Sequence, residues 1–354
     1  MVHTVDLPRN GSATDKEKDS TASAPGKVRS RYLLSLFAGL VGALALFCTA
    51  LVALDRTGNL PPPAFSNNLC IDEKLSFMRA NRIDSPNLLV VGSSVAWRHV
   101  NGHVLAQALP GVRPMNGAFC GLFANQSTYV AHWLLDREPS IRSVVMIADP
   151  QDFAGCWKAP TAVFNREHVD PYVYQGAAHW NFYMRYFSPK SLARNALTVK
   201  AQRAGQIEWD PLVFNRFGDG PLVTNNTRKL LYGRPDALDH NCFNALQALG
   251  ARLQQEGRRF MVVSTPLHPL WKEKYDPDGT FLADFDQRIL NSLSTSGTYW
   301  NADKDWSTPV TAFVDAVHMR WSAVQAFTAA LAEQISNAAT GPEQATTLET
   351  AAVQ

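Results

Sequence analysis

Two short motifs far apart in the chain carry residue types that together perform nucleophilic chemistry: Gly92-Ser93-Ser94 and Asp315-Ala316-Val317-His318. A serine hydroxyl is a weak nucleophile until a base removes its proton, and an imidazole serves as that base when a third group fixes its tautomer and orientation. Asp315 stands three residues before His318, so its carboxylate can hold one ring nitrogen while the other faces Ser94. Ser94 follows Leu88-Leu89-Val90-Val91, an apolar run that reads as a buried strand. The serine therefore falls where a strand ends and a helix begins, where backbone N–H groups can face a reacting oxygen. Each motif has a plainer reading, since Ser is favoured as a helix cap and a histidine beneath a helix is often a hydrogen-bonded core residue. Their joint occurrence, in this order, points to catalysis.

The elements that must position these residues follow from hydrophobic spacing. Short β-rich apolar runs at 87–91, 143–147 and 259–264 alternate with helical stretches, the rhythm of a parallel sheet in an α/β domain. Over 236–256, Leu238, Cys242, Leu246, Leu249 and Leu253 fall on one helical face, Asp236 and Asp239 sit at the positive end, and Gly257 stops the helix. A last helix over 322–335 presents Val324, Phe327, Leu331 and Ile335 on one side and would seat the His318 loop against the sheet.

Composition bounds the rest. The 354 residues, 46% of them apolar, suffice for a sizeable core. With 18% charged residues and a formal net charge of +2, a broad nucleic-acid-binding surface is not expected. Residues 32–54, YLLSLFAGLVGALALFCTALVAL, carry no charge and exceed the roughly 20 apolar residues needed to cross a bilayer. Lys27, Arg29 and Arg31 precede them, which puts the N-terminus in the cytoplasm and the bulk of the chain outside; a cleaved signal peptide, whose apolar region is typically about 7–15 residues, is the competing reading. Cys48 lies in that span, whereas Cys70, Cys120, Cys156 and Cys242 lie in the exported part, enough for two disulfides in three possible pairings, or for four buried thiols. No zinc-type cysteine spacing occurs, and neither a metal nor a cofactor is called for. Polar ends over 1–31 and 337–354 read as disordered. A lead-in over 55–84 contains the Pro61-Pro62-Pro63 spacer that would hold the domain near the bilayer.

The order of these features resembles the SGNH (GDSL-like) hydrolase superfamily: Gly92-Ser93-Ser94 after the first domain strand, a glycine-bearing loop, Asn116-Gly117-Ala118-Phe119-Cys120-Gly121, then a polar loop and a terminal Asp-x-x-His. The closer resemblance is to membrane-anchored branches acting in O-acetylation of exopolysaccharides such as alginate and cellulose, or in D-alanylation of teichoic acid. It implies a three-layer α/β/α, flavodoxin-like domain over 85–336, with Ser94 as nucleophile, His318 as base and Asp315 as its orienting acid. It also implies an oxyanion hole built from the N–H groups of Ser94 and Gly121, with Gly117 the weaker glycine. The family's further oxyanion asparagine has no counterpart here, because the matching loop reads Ala148-Asp149-Pro150-Gln151-Asp152. An ionised Asp149 would repel a developing oxyanion, and one lost donor costs about 3 kcal/mol of barrier. Three repairs are open: Asp149 protonated by burial, an amide from Gln151 or Asn125, or a hole resting on Ser94 and Gly121 alone.

Between the expected third and fourth blocks lies an aromatic-rich insertion or cap, 155–234. Trp157, Trp180 and Tyr183 in it suit sugar rings, with core packing of a subdomain as the alternative. His268, between Leu267 and Pro269 just past a strand, is a further binding candidate. The expected chemistry is two-step acyl transfer through an acyl-Ser94: to a polysaccharide hydroxyl in an O-acyltransferase, to water in a deacetylase or carboxylesterase. A catalytically degenerate polysaccharide-binding scaffold is the non-enzymatic alternative. The resemblance further implies a bacterial inner membrane location with a periplasmic domain, and a multi-spanning membrane acyltransferase that supplies the acyl group.

Overall fold

The computed structural model describes residues 26–66 and 68–340. The expected disordered ends fall outside the described residues over 1–25 and 341–354, but 26–31 and 337–340 are helical, which moves both boundaries toward the chain ends. The chain divides between Gly58 and Asn59 into two compact units. The first contains the helix Gly26–Arg56, of which Ser30–Arg56 holds an 18-residue stretch of mean hydropathy 2.4 and is long and apolar enough to span a membrane.

The second unit is built on a five-stranded, all-parallel sheet: β1 (Leu88–Gly92), β2 (Pro114–Asn116), β3 (Ser143–Ala148), β4 (Arg259–Ser264) and β5 (Thr298–Asn301), in the order β2-β1-β3-β4-β5. Every residue of β1 and β3 is buried, as expected of central strands covered on both faces. Side chains alternate between those faces. Leu89, Val91, Val144, Met146 and Val262 point into one core layer, shared with helices Leu69–Ala80, Ala124–Arg137 and His240–Gln255. Leu88, Val90, Val145, Ile147 and Val263 point into the other, shared with helices Ser94–His99, Gly102–Ala108 and Trp321–Thr340. Helices thus cover both faces.

The three strands expected from apolar runs are β1, β3 and β4. Asp239, rather than Asp236, caps the helix His240–Gln255, its side chain accepting from Asn241 N at 3.0 Å. The short strands β2 and β5 were not expected. β2 is closed at its outer edge by the segment after the insertion helices: Asn116 N donates to Phe217 O at 2.9 Å and Asn116 Nδ2 to Asp219 Oδ1 at 3.0 Å. Lys74, fully enclosed, donates to Gly218 O at 2.6 Å in the same knot.

Two disulfides resolve the open pairing: Cys70–Cys120 and Cys156–Cys242. The first ties the helix Leu69–Ala80 to the loop that bears Gly121; the second ties the start of the insertion to the helix His240–Gln255. The insertion holds three helices, Arg166–Val173, Trp180–Arg185 and Pro189–Arg203, followed by irregular chain. Much of its aromatic content packs inward: Phe65 lies 4.7 Å from Tyr172 and 5.1 Å from Phe182 between ring centroids.

Strand order reverses beside β1, because the chain leaves β1 for β2 on one side and then crosses to β3 on the other. Loops leaving the carboxyl ends of β1 and β3 therefore diverge and open a crevice, the usual ligand position in such sheets. Ser94 and Asp149 stand at its two sides.

Candidate active site

Gly92 ends β1 with φ +141°, and a Cβ there would lie 2.5 Å from Ile147 O and 2.6 Å from Ala96 Cβ, so only glycine permits this turn. The two serines that follow divide the work. Ser93 is the helix cap, extended in backbone, its Oγ accepting from Val95 N at 3.4 Å. Ser94 opens the helix Ser94–His99, and its Oγ lies 2.9 Å from His318 Nε2. The ring's other nitrogen, Nδ1, lies 3.0 Å from Asp315 Oδ2 and 3.1 Å from Oδ1. Sequence spacing and geometry agree on one connected chain, hydroxyl to imidazole to carboxylate.

The carboxylate is held as an anion. Burial pushes the Asp315 carboxyl up, but the His318 ring and the N–H groups of Val317 and His318, which donate to Oδ1 at 3.0 and 2.8 Å, more than offset it and keep it below the usual carboxylate range. The histidine loop is fixed from behind. Val314 N donates to His318 O at 2.8 Å, and His268 N donates to Ala316 O at 3.0 Å. Met319 N donates to His99 Nε2 at 2.9 Å, and His99 Nδ1 lies 2.7 Å from Thr265 Oγ1. With Nε2 accepting, the His99 proton sits on Nδ1 and goes to the threonine. Burial holds His99 neutral, well below the ordinary imidazole range.

The cleft at this site has a volume of about 460 Å³. Its walls include Ser94, Gly121, Asp149, Gln151, His318 and, from the far end of the insertion, Asp210, Leu212 and Tyr232. Gly121 takes φ +67°, a left-handed turn beside Cys120 that glycine favours. Its N–H and that of Ser94 have no protein acceptor among the described residues. Gly117 instead packs under the β1–β2 edge, with Gly117 N donating to Val90 O at 2.8 Å, so its N–H is occupied.

Of the alternatives weighed for the polar loop after β3, the structure removes one amide. Asn125 is excluded, because its amide donates to Cys156 O at 3.0 Å and Lys158 O at 2.8 Å and it does not reach the cleft. Gln151 lines the cleft, and its side-chain amide gives one of its two N–H donors to Gly233 O. At Asp149, Oδ1 accepts from Gln151 N at 2.7 Å, and Oδ2 is buried with no partner among the described residues. Burial, chiefly, raises its carboxyl to about 6, against the pull of the Gln151 N–H and His318, with Asp315 adding repulsion. Burial, and next the charge of Asp149, push the neighbouring Asp152 carboxyl well above the usual carboxylate range.

None of the four expected binding residues lines this cleft. His268 caps the helix Pro269–Tyr275, its Nδ1 accepting from Leu270 N at 3.1 Å, which is a structural task. Trp157 is 74% exposed elsewhere on the surface, Trp180 is 37% exposed, and Tyr183 is buried with its hydroxyl donating to Pro61 O at 2.5 Å. Residues that sequence reading missed stand in their place. Tyr232 sets its ring 5.6 Å from the His318 ring, edge on. Arg98 lines the cleft four residues after Ser94, on the same helical face. That spacing was visible in the sequence; nothing marked Tyr232.

Among the described residues, no group of three or more His, Cys, Asp or Glu is arranged to hold a metal ion. A second cavity of about 330 Å³ at the opposite end of the sheet, between Leu88, Phe260 and Ile335, holds no nucleophile and base. The chain matches no family model, and no curated protein matches it.

Proposed function

We propose that this protein is an extracytoplasmic serine acyltransferase of SGNH type, anchored by its N-terminal helix, that moves an acetyl or similar acyl group to a polysaccharide through an acyl-Ser94. The observation that carries the reading is the Ser94–His318–Asp315 chain, with 2.9 and 3.0 Å links at the mouth of a cleft. In this reading His318 takes the Ser94 proton as Oγ attacks the acyl carbonyl, and the N–H groups of Ser94 and Gly121 receive the oxyanion. A protonated Asp149 adds a third donor where the superfamily resemblance calls for an asparagine. The imidazolium, steadied by Asp315, returns the proton to the departing oxygen. An acceptor hydroxyl then enters, gives its proton to His318 as its oxygen attacks the acyl carbon, and leaves with the acyl group while His318 returns that proton to Ser94 Oγ; water in its place would make the same site an esterase.

Basic residues before the apolar helix favour a cytoplasmic N-terminus and an extracytoplasmic catalytic unit, and the family resemblance makes that side the periplasm. A membrane partner that exports acyl groups fits that arrangement. The test is turnover of 4-nitrophenyl acetate by the full chain in non-ionic detergent, wild type against Ser94→Ala, with oligosaccharides added and acetylated sugar followed by mass spectrometry. Serine-dependent turnover with acetyl appearing on the sugar is the expected result. Equal rates for wild type and Ser94→Ala would overturn the reading.

A further inference from the structure

Arg98 is a buried cation without a counter-ion. It is 3% exposed and lines the same cleft as Ser94. Its guanidinium, which has five N–H donors, reaches only Gly220 O and Pro211 O, each at 3.5 Å, and lies 4.2 Å over the Trp97 ring. No carboxylate lies within 4.0 Å of it among the described residues. The two that act on it from a distance are engaged elsewhere, Asp210 with Arg228 at 3.1 Å and Asp315 with His318. The Trp97 indole N–H beside it is also buried without an acceptor. A buried guanidinium held by two long carbonyl contacts is costly unless something completes its shell, and Arg98 borders the cleft.

We propose that Arg98 is an anion subsite, and that the substrate carries an oxyanion, a carboxylate or a phosphate, close to the group that reacts at Ser94. The i, i+4 spacing within one helix sets neighbouring Cβ atoms about 6 Å apart, roughly the width of one sugar ring or polyol unit. Planar, forked donors suit either oxyanion. Stacking on Trp97 fixes the plane in which the oxyanion is met. The arrangement gives specificity without taking part in proton transfer, and it rests on the acyl-transfer reading only for where along the substrate the anion falls.

The test is equilibrium binding to the full chain in non-ionic detergent of two matched pairs, glucuronate against glucose and glycerol 1-phosphate against glycerol. Wild type is compared with Arg98→Gln and Arg98→Lys, each checked by near-ultraviolet circular dichroism and thermal melting. The expected result is a preference of about 10- to 100-fold for the anionic member of at least one pair, the range of a hydrogen bond to a charged group. It is lost in Arg98→Gln and partly kept in Arg98→Lys, and the pair with the larger preference separates carboxylate from phosphate. Equal binding of anionic and neutral members by wild type, or a preference that survives in folded Arg98→Gln, overturns the proposal. Should Arg98→Gln not fold, the wild-type preference and its weakening in Arg98→Lys decide. Repeating the pairs with Ser94→Ala keeps the two readings apart. An anionic preference in a protein without serine-dependent turnover would leave the subsite standing and the acyltransferase reading refuted.

Discussion

Asp149→Asn is the substitution that most sharply tests how the oxyanion is held. Asparagine keeps the Oδ1 that accepts from Gln151 N and replaces the unpartnered Oδ2 with an N–H donor. In the wild type, that donor exists only when the carboxyl is protonated. With its value near 6, about nine-tenths of Asp149 is protonated at pH 5 and about 1% at pH 8. The variant is therefore expected to match wild type within a few-fold at pH 5 and to exceed it at pH 8. The advantage approaches about 100-fold, of the same order as the loss of one oxyanion donor. Stability moves in the same sense. The folded value lies above the ordinary 3.8, so the contribution of Asp149 is complete below about 3.8 and is lost as pH rises through about 6, a difference of about 3 kcal/mol. Asparagine, which does not titrate, removes that loss. The assay is acetate release from a neutral ester by wild type and variant across pH 5 to 8, each corrected with its Ser94→Ala counterpart, together with urea unfolding at both ends. A variant-to-wild-type ratio that does not change with pH would refute the reasoning.

Asp315→Asn would place an amide where the His318 Nδ1 proton is now accepted and favour the wrong tautomer, with an expected fall of about 10⁴ in kcat and little change in KM; steady-state kinetics checks it. Cys156→Ser with Cys242→Ser removes a cross-link spanning 86 residues and should cost about 2–5 kcal/mol in urea unfolding. The site geometry should survive in the folded fraction, because neither cysteine lines the cleft.

The Ser94–His318–Asp315 arrangement was legible because serine-nucleophile chemistry demands particular residue types, and a buried strand followed by a helix start has a sequence signature. β1, β3 and β4 were legible for the same reason, as runs of apolar residues buried on both faces. β2 and β5 have three and four residues; Pro114-Met115-Asn116 has no alternation to read, and its edge is completed by Phe217 and Asp219 from far along the chain. The binding residues were misplaced because aromatic content alone does not distinguish a sugar platform from a core: Tyr183 is spent on Pro61, and His268 on a helix cap. The amide of Asn125 could not be assigned from sequence, since what disqualifies it is the two carbonyl groups it meets in three dimensions.

The most direct test of the central claim is mass spectrometry of the full-length protein quenched during turnover of an acetyl ester, followed by peptide mapping. One acetyl group on the peptide containing Ser94, absent in Ser94→Ala and accumulating when the acceptor is withheld, is the expected result. Ester turnover with no serine-bound acetyl in a rapid quench, or acetyl found on another residue while Ser94→Ala remains active, would contradict it.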